Sequence, residues 1–587
     1  MSHIGKLLLA AMFLVFSSQS QAAPYTSTER PYYLESQPLM KAVIAWARQS
    51  ELELIWRMRS TVRQQAPEVV GVLSPEAALK RLLAGSGLTY AFTSERTVVI
   101  RPDTALVSAV ESGSRGSDAL IGEIIVTGSH IRGIVPAGSI VVVADEEDIR
   151  RGGYATAEQI IRSLAQNIRS GQNGEAADAR FSSAAGASRN VTFASGANLR
   201  GLGASATVTL LNGHRIAASG QGPFTDISLI PAAAISRVEY LLDGASAVYG
   251  TDAIAGVVNI ILKDEFDGFD THFRYGITAP SGRNEAAASQ TLGAKWDSGS
   301  ILAIGSFIDQ NELSANERPF TRDVAKPASI LPTNEQRSVH VAGHQSLGNS
   351  WTLHADGQHG RTDRYSLGPA PAGHWEFPVK IGRTNASTRL QYQKFAGWDI
   401  SLKGNFSRED VDLGFFYLPS GSTSPQIDPS EVQRLTQQQW STGVAANGEL
   451  ASVPAGKIRV AVGVEHREEE YVRRLLAPIS GREDVARTVN AAYVELHVPI
   501  LGDEQAAPHE PGMSVSLAGR YDDYSDVGDI FNPKFGLSWA PIAGLELRST
   551  YSRSFRAPAS GAELLSTSRG TESLVAIYSF RDVDGLG

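Results

Sequence analysis

The chain contains no cysteine, which removes disulfides, thiol nucleophiles and thiolate metal sites together. It also has no excess of positive charge. The formal net charge is -9, which argues against a nucleic-acid-binding protein, whose footprint is a basic face. After the N-terminus no apolar run is long enough for a membrane helix, so a helical membrane protein is excluded. A β-barrel is not, because its strands alternate apolar and polar residues. Enzyme signatures are missing too. The 12 histidines are scattered, no HExxH exists, Glu465-His466 stands alone in a strand pattern, and no GxSxG elbow precedes a helix. Gly201-Leu202-Gly203-Ala204-Ser205-Ala206 loosely fits a dinucleotide fingerprint. A β-branched strand and a hairpin follow it, where phosphate binding needs an opening helix. The expectation is no enzyme, no metal and no cofactor.

What is present is organised in blocks, as a chain of 587 residues requires. Lys6, the apolar run Leu7–Phe16 and Ser20-Gln21-Ala22 form an export leader, with cleavage expected after Ala22. Residues 25–102 read as a small α+β domain. Tyr32-Tyr33-Leu34 suits a strand, and Leu39, Val43, Ile44 and Ala47 follow a helical spacing. Leu52, Leu54 and Trp56 alternate. Ser74-Pro75-Glu76 opens a helix, with Ser as cap and Pro at the first helical position. Thr97–Ile100 closes the domain as a strand. Residues 103–122 are Ser-, Gly- and Asp-containing linker. A short β-prone segment follows, Glu123-Ile124-Ile125-Val126-Thr127.

Residues 123–264 read as a third block, again α+β. Thr156 and Gln159 suit a capping box before Ile160, Ile161 and Leu164. Ser170–Ala197 is polar and rich in small residues. Val208, Leu210 and Leu211 form a strand ahead of the hairpin turn Asn212-Gly213. Ile230–Lys263 packs a helix-like start, a strand, the Asp243-Gly244 turn, a small-residue segment and a second strand into one unit. From residue 265 to 587 alternating strands recur. In Lys457–Glu465, Ile458, Val460, Val462 and Val464 face one way and Arg459 and Glu465 the other. Tyr493/Glu495/His497 oppose Val494/Leu496/Val498, Ser514/Ser516 oppose Val515/Leu517, and Glu546/Arg548 oppose Leu545/Leu547. Repetition of this kind favours a membrane barrel with lipid-facing apolar positions and a polar lumen. Trp351, Trp398, Tyr521, Tyr524 and Trp539 suit interfacial belts.

Three stretches carry a family resemblance. QPLMKAVIAWARQSELELIW, VLSPEAALKRLLAGSGLTYAF and RTVVIRP resemble the short N-terminal domain shared by secretins and signalling TonB receptors. NLRGLGASATVTLLNGHRIA and IPAAAISRVEYLLDGASAVYGTDAIAGVVNIILK resemble the plug domain of TonB-dependent outer-membrane receptors. Tyr551–Pro558 resembles a barrel motif of the same family. The resemblance implies an α+β periplasmic signalling domain and an α+β plug, followed by an antiparallel transmembrane β-barrel. It implies that Glu123–Thr127 is or overlaps a TonB box, captured by strand addition to its partner; the plainer reading is the first plug strand. Arg200, Gly201, Gly203, Asn212, Gly213, Arg237, Glu239, Asp243, Gly244, Gly250, Gly256 and Asn259 become structural or gating positions of the plug. Arg237 and Glu239 are those expected to pair with the barrel wall. The implied partners are the TonB–ExbB–ExbD complex, an inner-membrane anti-sigma regulator, outer-membrane lipid and an iron–siderophore or other nutrient ligand, with no nucleic acid. The implied location is the outer membrane, with the N-terminal domain in the periplasm. Substrate-contacting residues are not identified by sequence.

One departure stands against the pattern. Roughly thirteen candidate strands are legible, whereas plugged transporters of this class have about 22. RDVDGLG replaces the terminal aromatic strand, so a partial barrel, from a fragment or a truncated product, is expected. The rival readings are a passive porin, against which the plug motifs argue, and a truncated exported signalling or binding protein without transport.

Overall fold

The computed structural model describes residues 30–34, 36–37, 39–50, 53–56, 66–83, 86, 88–92, 97–102, 127–134, 136–168, 192–219, 224–279, 282–370, 372–395, 397–422, 426–427, 432–476, 480–502, 511–542, 545–558 and 577–578. The leader, the 103–122 linker, Glu123–Val126, residues 170–191 and the RDVDGLG tail lie outside them. The chain divides into two compact units, Met1–Ile121 and Gly122–Gly587.

In the first unit, β1 (Arg30–Leu34) is followed by α1 (Leu39–Ser50), β2 (Glu53–Trp56), β3 (Val69–Leu73), α2 (Pro75–Leu82), β4 (Leu88–Phe92) and β5 (Thr97–Pro102). Strands β1 and β3 pair antiparallel, while β5 lies between parallel β2 and antiparallel β4. The Ser74 hydroxyl accepts the Ala77 N–H at 3.2 Å, and Pro75 occupies the first turn. That satisfies one of the donors a helix start leaves over. Tyr32, Leu34, Val43, Trp46, Leu79 and Leu82 form the core. The Trp46 indole N–H is satisfied by Pro75 O at 2.9 Å.

The second unit begins with a plug. Its elements are β6 (Val141–Ala144), α3 (Glu146–Gly152), α4 (Ala157–Ser163), β7 (Thr207–Leu211), β8 (His214–Arg215), β9 (Ile235–Leu241), α5 (Ser246–Tyr249) and β10 (Gly256–Leu262). The sheet order is β6-β9-β10-β7-β8, with β10 parallel to β7 and antiparallel to β9. Every residue of β10 is buried, as a strand covered on both faces must be. Val258, Ile260 and Leu262 point into one apolar cluster and Val257 into the other. Thr156 caps α4 by accepting the Gln159 N–H at 3.4 Å. The Gln159 side chain closes on Ala155 N at 2.7 Å, one residue before the cap itself.

Around the plug runs a 15-stranded antiparallel sheet, with thirteen strands on its main path from Gly268–Ile277 to Leu545–Ser552, which are its two edges. At one end most neighbouring strands meet in tight turns, as at 297–298, 348–350 and 454–455, with 502–511 the exception; at the other, the connections 278–283, 311–332 and 414–432 are longer, while 371–372 and 525–527 are short. We call these the turn end and the loop end. The outward faces of the strands expose Ile301, Val341, Leu402, Val444, Val464, Val494 and Leu547, a band with no soluble purpose. Trp296, Trp351 and Trp539 stand near the turn end of the band and Trp440, Tyr521 and Phe531 toward the loop end. Arg408, Asp410 and Arg434 continue outward beyond Trp440. Tyr524 departs from the belt expected of it: it is buried and packs edge-on against Phe555. Three residues from Tyr521, it must take the opposite face of the strand. Among the described residues no helix is long and apolar enough to cross a membrane.

Candidate functional site

The chain enters the plug through a clasped segment, residues 127–132. Thr127 donates its N–H and hydroxyl to Glu239 Oε2 at 2.8 and 2.6 Å, and Asn259 Nδ2 donates to the Thr127 hydroxyl at 3.1 Å. Gly128 N donates to the Tyr249 hydroxyl at 2.9 Å. Two residues on, the wall takes over: the Ser129 hydroxyl and His130 N–H donate to the Glu495 carboxylate at 2.6 and 2.7 Å. The His130 ring stacks on Tyr493 with centroids 4.1 Å apart, and Arg132 pairs with Asp399. Three carboxylates, one from the plug and two from the wall, thus hold the segment that continues Glu123–Val126.

The plug positions singled out in the sequence fall into three groups. Arg200, Gly201 and Gly203 form the turn before β7, all at positive φ. There Arg200 Nε donates to Ala255 O at 3.2 Å and Gly203 N to Asn198 Oδ1 at 2.7 Å. Asn212 and Gly213 make the β7–β8 hairpin with φ of 51 and 79, the mirror-image turn that matches strand twist. Asn259 Oδ1 accepts from Gly213 N at 2.9 Å, and Asn212 Oδ1 from Leu262 N at 2.8 Å, tying this hairpin to β10. Arg237 pairs with Glu239 of its own strand at 2.6 Å, so this pair secures the entry segment.

The third group meets the wall. Asp243 receives Lys534 Nζ at 2.7 Å, the Ser139 hydroxyl at 2.9 Å and the Thr550 hydroxyl at 3.2 Å. Burial pushes the Asp243 carboxyl up, but the Lys534 ammonium and these donors outweigh it and hold it below its ordinary value. Gly244 follows because the backbone touches the wall there: a Cβ at this position would stand 2.4 Å from Ser552 Oγ. Gly250 lies less tightly against the wall, where a Cβ would stand 3.3 Å from Arg520 Nε, and Gly256 packs within the plug itself, close against Leu241 O.

Sequence reasoning placed Glu465 on the polar face of its strand but missed the ion-pair network that lines the lumen there. Glu465, Arg467 and Glu469 alternate on one wall strand, with Arg487 and the Arg520–Asp522 pair on neighbours. From the plug, Arg215 reaches Asp252 at 3.3 Å. The signal was there: charges two residues apart in otherwise alternating strands share the lumen face. Burial raises the Asp252 carboxyl against the pull of Arg215. Burial, with the Lys403 ammonium, pushes the His130 imidazole down to about 3. Toward the loop end, Arg383 pairs with Glu409 and Asp226 O, and Arg364 donates to Phe193 O and the Ser228 hydroxyl. No group of three or more His, Asp or Glu among the described residues is placed to hold a metal ion.

A large antiparallel sheet wrapped around a clasped, ion-latched plug is the architecture of a plugged β-barrel. Three family models match in chain order: the secretin and TonB N-terminus short domain over 62–103, the TonB-dependent receptor plug domain over 136–257, and the TonB-dependent receptor-like β-barrel over 323–580. The chain belongs to the TonB-dependent receptors. Its fold is similar to that of the ferric enterobactin receptor PfeA of Pseudomonas aeruginosa, with TM-score 0.56 and 16% identity, over 73% of this chain and 64% of that one. The siderophore receptor PirA of Acinetobacter baumannii gives 0.54 and 16%, over 73% and 63%. FpvA of P. aeruginosa, described bound to heterologous pyoverdines, gives 0.51 and 14%, over 90% and 71%. The chain therefore spans 64% of the length of the ferric enterobactin receptor it matches.

Proposed function

We propose that the chain acts in energised uptake of a scarce nutrient across the outer membrane, an iron–siderophore complex being the foremost class. The entry clasp carries this reading. A segment held by three carboxylates at the turn end, continuous with the β-prone Glu123–Val126, is built to be pulled. TonB, energised by ExbB and ExbD, would add Glu123–Thr127 to its own sheet edge. Tension would then reach Thr127 first, and the bonds to Glu239, Glu495 and Asp399 would yield in sequence. The siderophore receptors of similar fold support the substrate class. No covalent bond of the nutrient changes in such a cycle. In this reading residues 123–264 are the movable plug and 265–587 the wall. Residues 25–102 stand in the periplasm, facing an inner-membrane anti-sigma regulator.

Deleting Glu123–Thr127 tests the proposal. Energised uptake is expected to fall to the level of uncoupled cells while binding at the cell surface persists. Uptake that survives the deletion would make the protein a passive pore.

A further inference from the structure

Two cavities lie in series along one face of the wall. The one nearer the turn end, about 170 Å³, is bordered by residues 441–447 of the strand Gln433–Val453 and by Ala461, Val464 and Glu465 of the strand Gly456–Leu475. The second, about 70 Å³, is bordered by residues 437–439 and 469–471 of the same two strands. At about 3.3 Å per residue the two stand within roughly 20 Å of each other.

Arg215 borders both cavities. Its guanidinium crosses between them, donating to Tyr249 O at 3.0 Å and to Thr251 O, and pairing with Asp252 at 3.3 Å. Its own carbonyl accepts from Asn405 Nδ2 at 3.0 Å and Gln439 Nε2 at 2.5 Å. Ala217 N donates to the Ser407 hydroxyl at 2.8 Å. Arg215 belongs to β8, one of the two edge strands of the plug sheet, joined to β7 through two residue pairs. With so short a ladder, β8 is held mainly by the Arg215 contacts and by the wall, not by its neighbour strand. The entry segment borders the larger cavity through Ser129–Arg132, so a pull on it acts beside this hairpin.

We propose that the nutrient passes along this face of the wall, with Arg215 as the bar between the two cavities. Withdrawal of the entry segment and the β8 hairpin joins them into one passage. The larger cavity carries Arg132, Arg389, Lys403 and Arg520 against Asp399 and Glu465, a balance that suits a hydrophilic anionic solute. This inference rests on the energised-receptor reading.

The absence of native cysteine allows a direct test. Ser401→Cys in the larger cavity serves as reporter, and a membrane-impermeant maleimide added outside cells serves as probe. One lock, Ala217→Cys with Ser407→Cys, is oxidised to pin the hairpin. A second, Leu229→Cys with Gly360→Cys, pins the plug elsewhere. There a Cβ on Gly360 would lie 3.5 Å from Leu229 Cβ, within disulfide reach of about 3.5–4.5 Å. Energised cells are expected to label the reporter several-fold above uncoupled cells. The hairpin lock should abolish that rise, reductant should restore it (which also shows the locked protein is folded), and the second lock should leave it intact. Arg215→Ala should raise labelling in uncoupled cells. Labelling unaffected by the hairpin lock, or abolished by both locks, overturns this route while leaving energised uptake standing. Labelling of the lock-free protein that does not depend on energy overturns the energised reading itself.

Discussion

The plug touches its wall along several seams, and two of them are unlike. Against the strands Gly299–Gln310 and Thr333–Leu347, Ile260, Leu262 and Ile160 share one apolar cluster with Leu302, Ile304 and Ala342. Against the strands from Gly481 to Ser552 the clasping contacts are charged or backbone-close: Glu495 on the entry segment, Lys534 on Asp243, Ser552 beside Gly244. Apolar contact has no direction and weakens in proportion to the area uncovered. Ion pairs and hydrogen bonds depend on geometry and are lost over a short displacement. In the proposed cycle the first seam would serve as a hinge that tolerates sliding, and the second as a latch that opens at discrete bonds.

The largest effect should come from breaking the latch by halves. Asp243→Ala leaves the Lys534 ammonium buried without its carboxylate, a loss of about 3–5 kcal/mol. Removing both partners should cost less than the two single losses added, because no lone charge remains. On the hinge, Leu302→Ala is expected to cost about 2–5 kcal/mol. Paired there with Ala342→Gly, it should show no such relief, since a cavity has no charge to compensate. Denaturant unfolding of the folded protein in detergent measures both series. Equal coupling on the two seams would erase the distinction between them.

A smaller effect is expected from steric pressure on the latch. Gly244→Ala places a methyl 2.4 Å from Ser552 Oγ and 3.1 Å from Ser554 Oγ, so the hydroxyls must turn away or the plug backbone withdraw, at up to about 1–3 kcal/mol. Ser552→Gly should recover most of that loss. Failure of the second change to rescue the first would place the strain within the plug instead.

Much of this organisation is legible in the sequence. Ser74-Pro75 marks a helix start and Asn212-Gly213 a hairpin because both act through neighbouring residues. The alternation of Val462 and Val464 with Glu465 gives the wall its two faces. The latch is not legible in the same way. Ser129 and Glu495 are 366 positions apart and Thr127 and Glu239 are 112 apart, and no local rule joins them. Arg215 lies inside the NGHRIA stretch read from the sequence, yet its place between two cavities depends on wall strands that begin nearly two hundred residues later. Tyr524 was misplaced by composition where parity along the strand would have placed it correctly.

Acidity separates the two seams by the subtlest measure. His130 is buried on the latch and its imidazole stays neutral down to about pH 3. The unfolded imidazole protonates near about 6.5. Between those values the unfolded chain binds the extra proton, so the contribution of His130 to stability falls as pH falls, by up to about 1.4 kcal/mol per pH unit. Asp243 acts in the same direction lower down: its folded carboxyl is held below its ordinary value. Its stabilisation is complete above the unfolded value of about 3.9 and is lost as pH drops through the folded one. The hinge residues Leu302, Ile304 and Ala342 do not titrate. His130→Phe should therefore flatten the stability profile between about pH 6.5 and the carboxylate range, whereas Leu302→Ala should lower the whole profile without changing its slope. Unfolding midpoints collected across that range measure both. A His130→Phe profile as steep as the parent would remove this histidine from the latch.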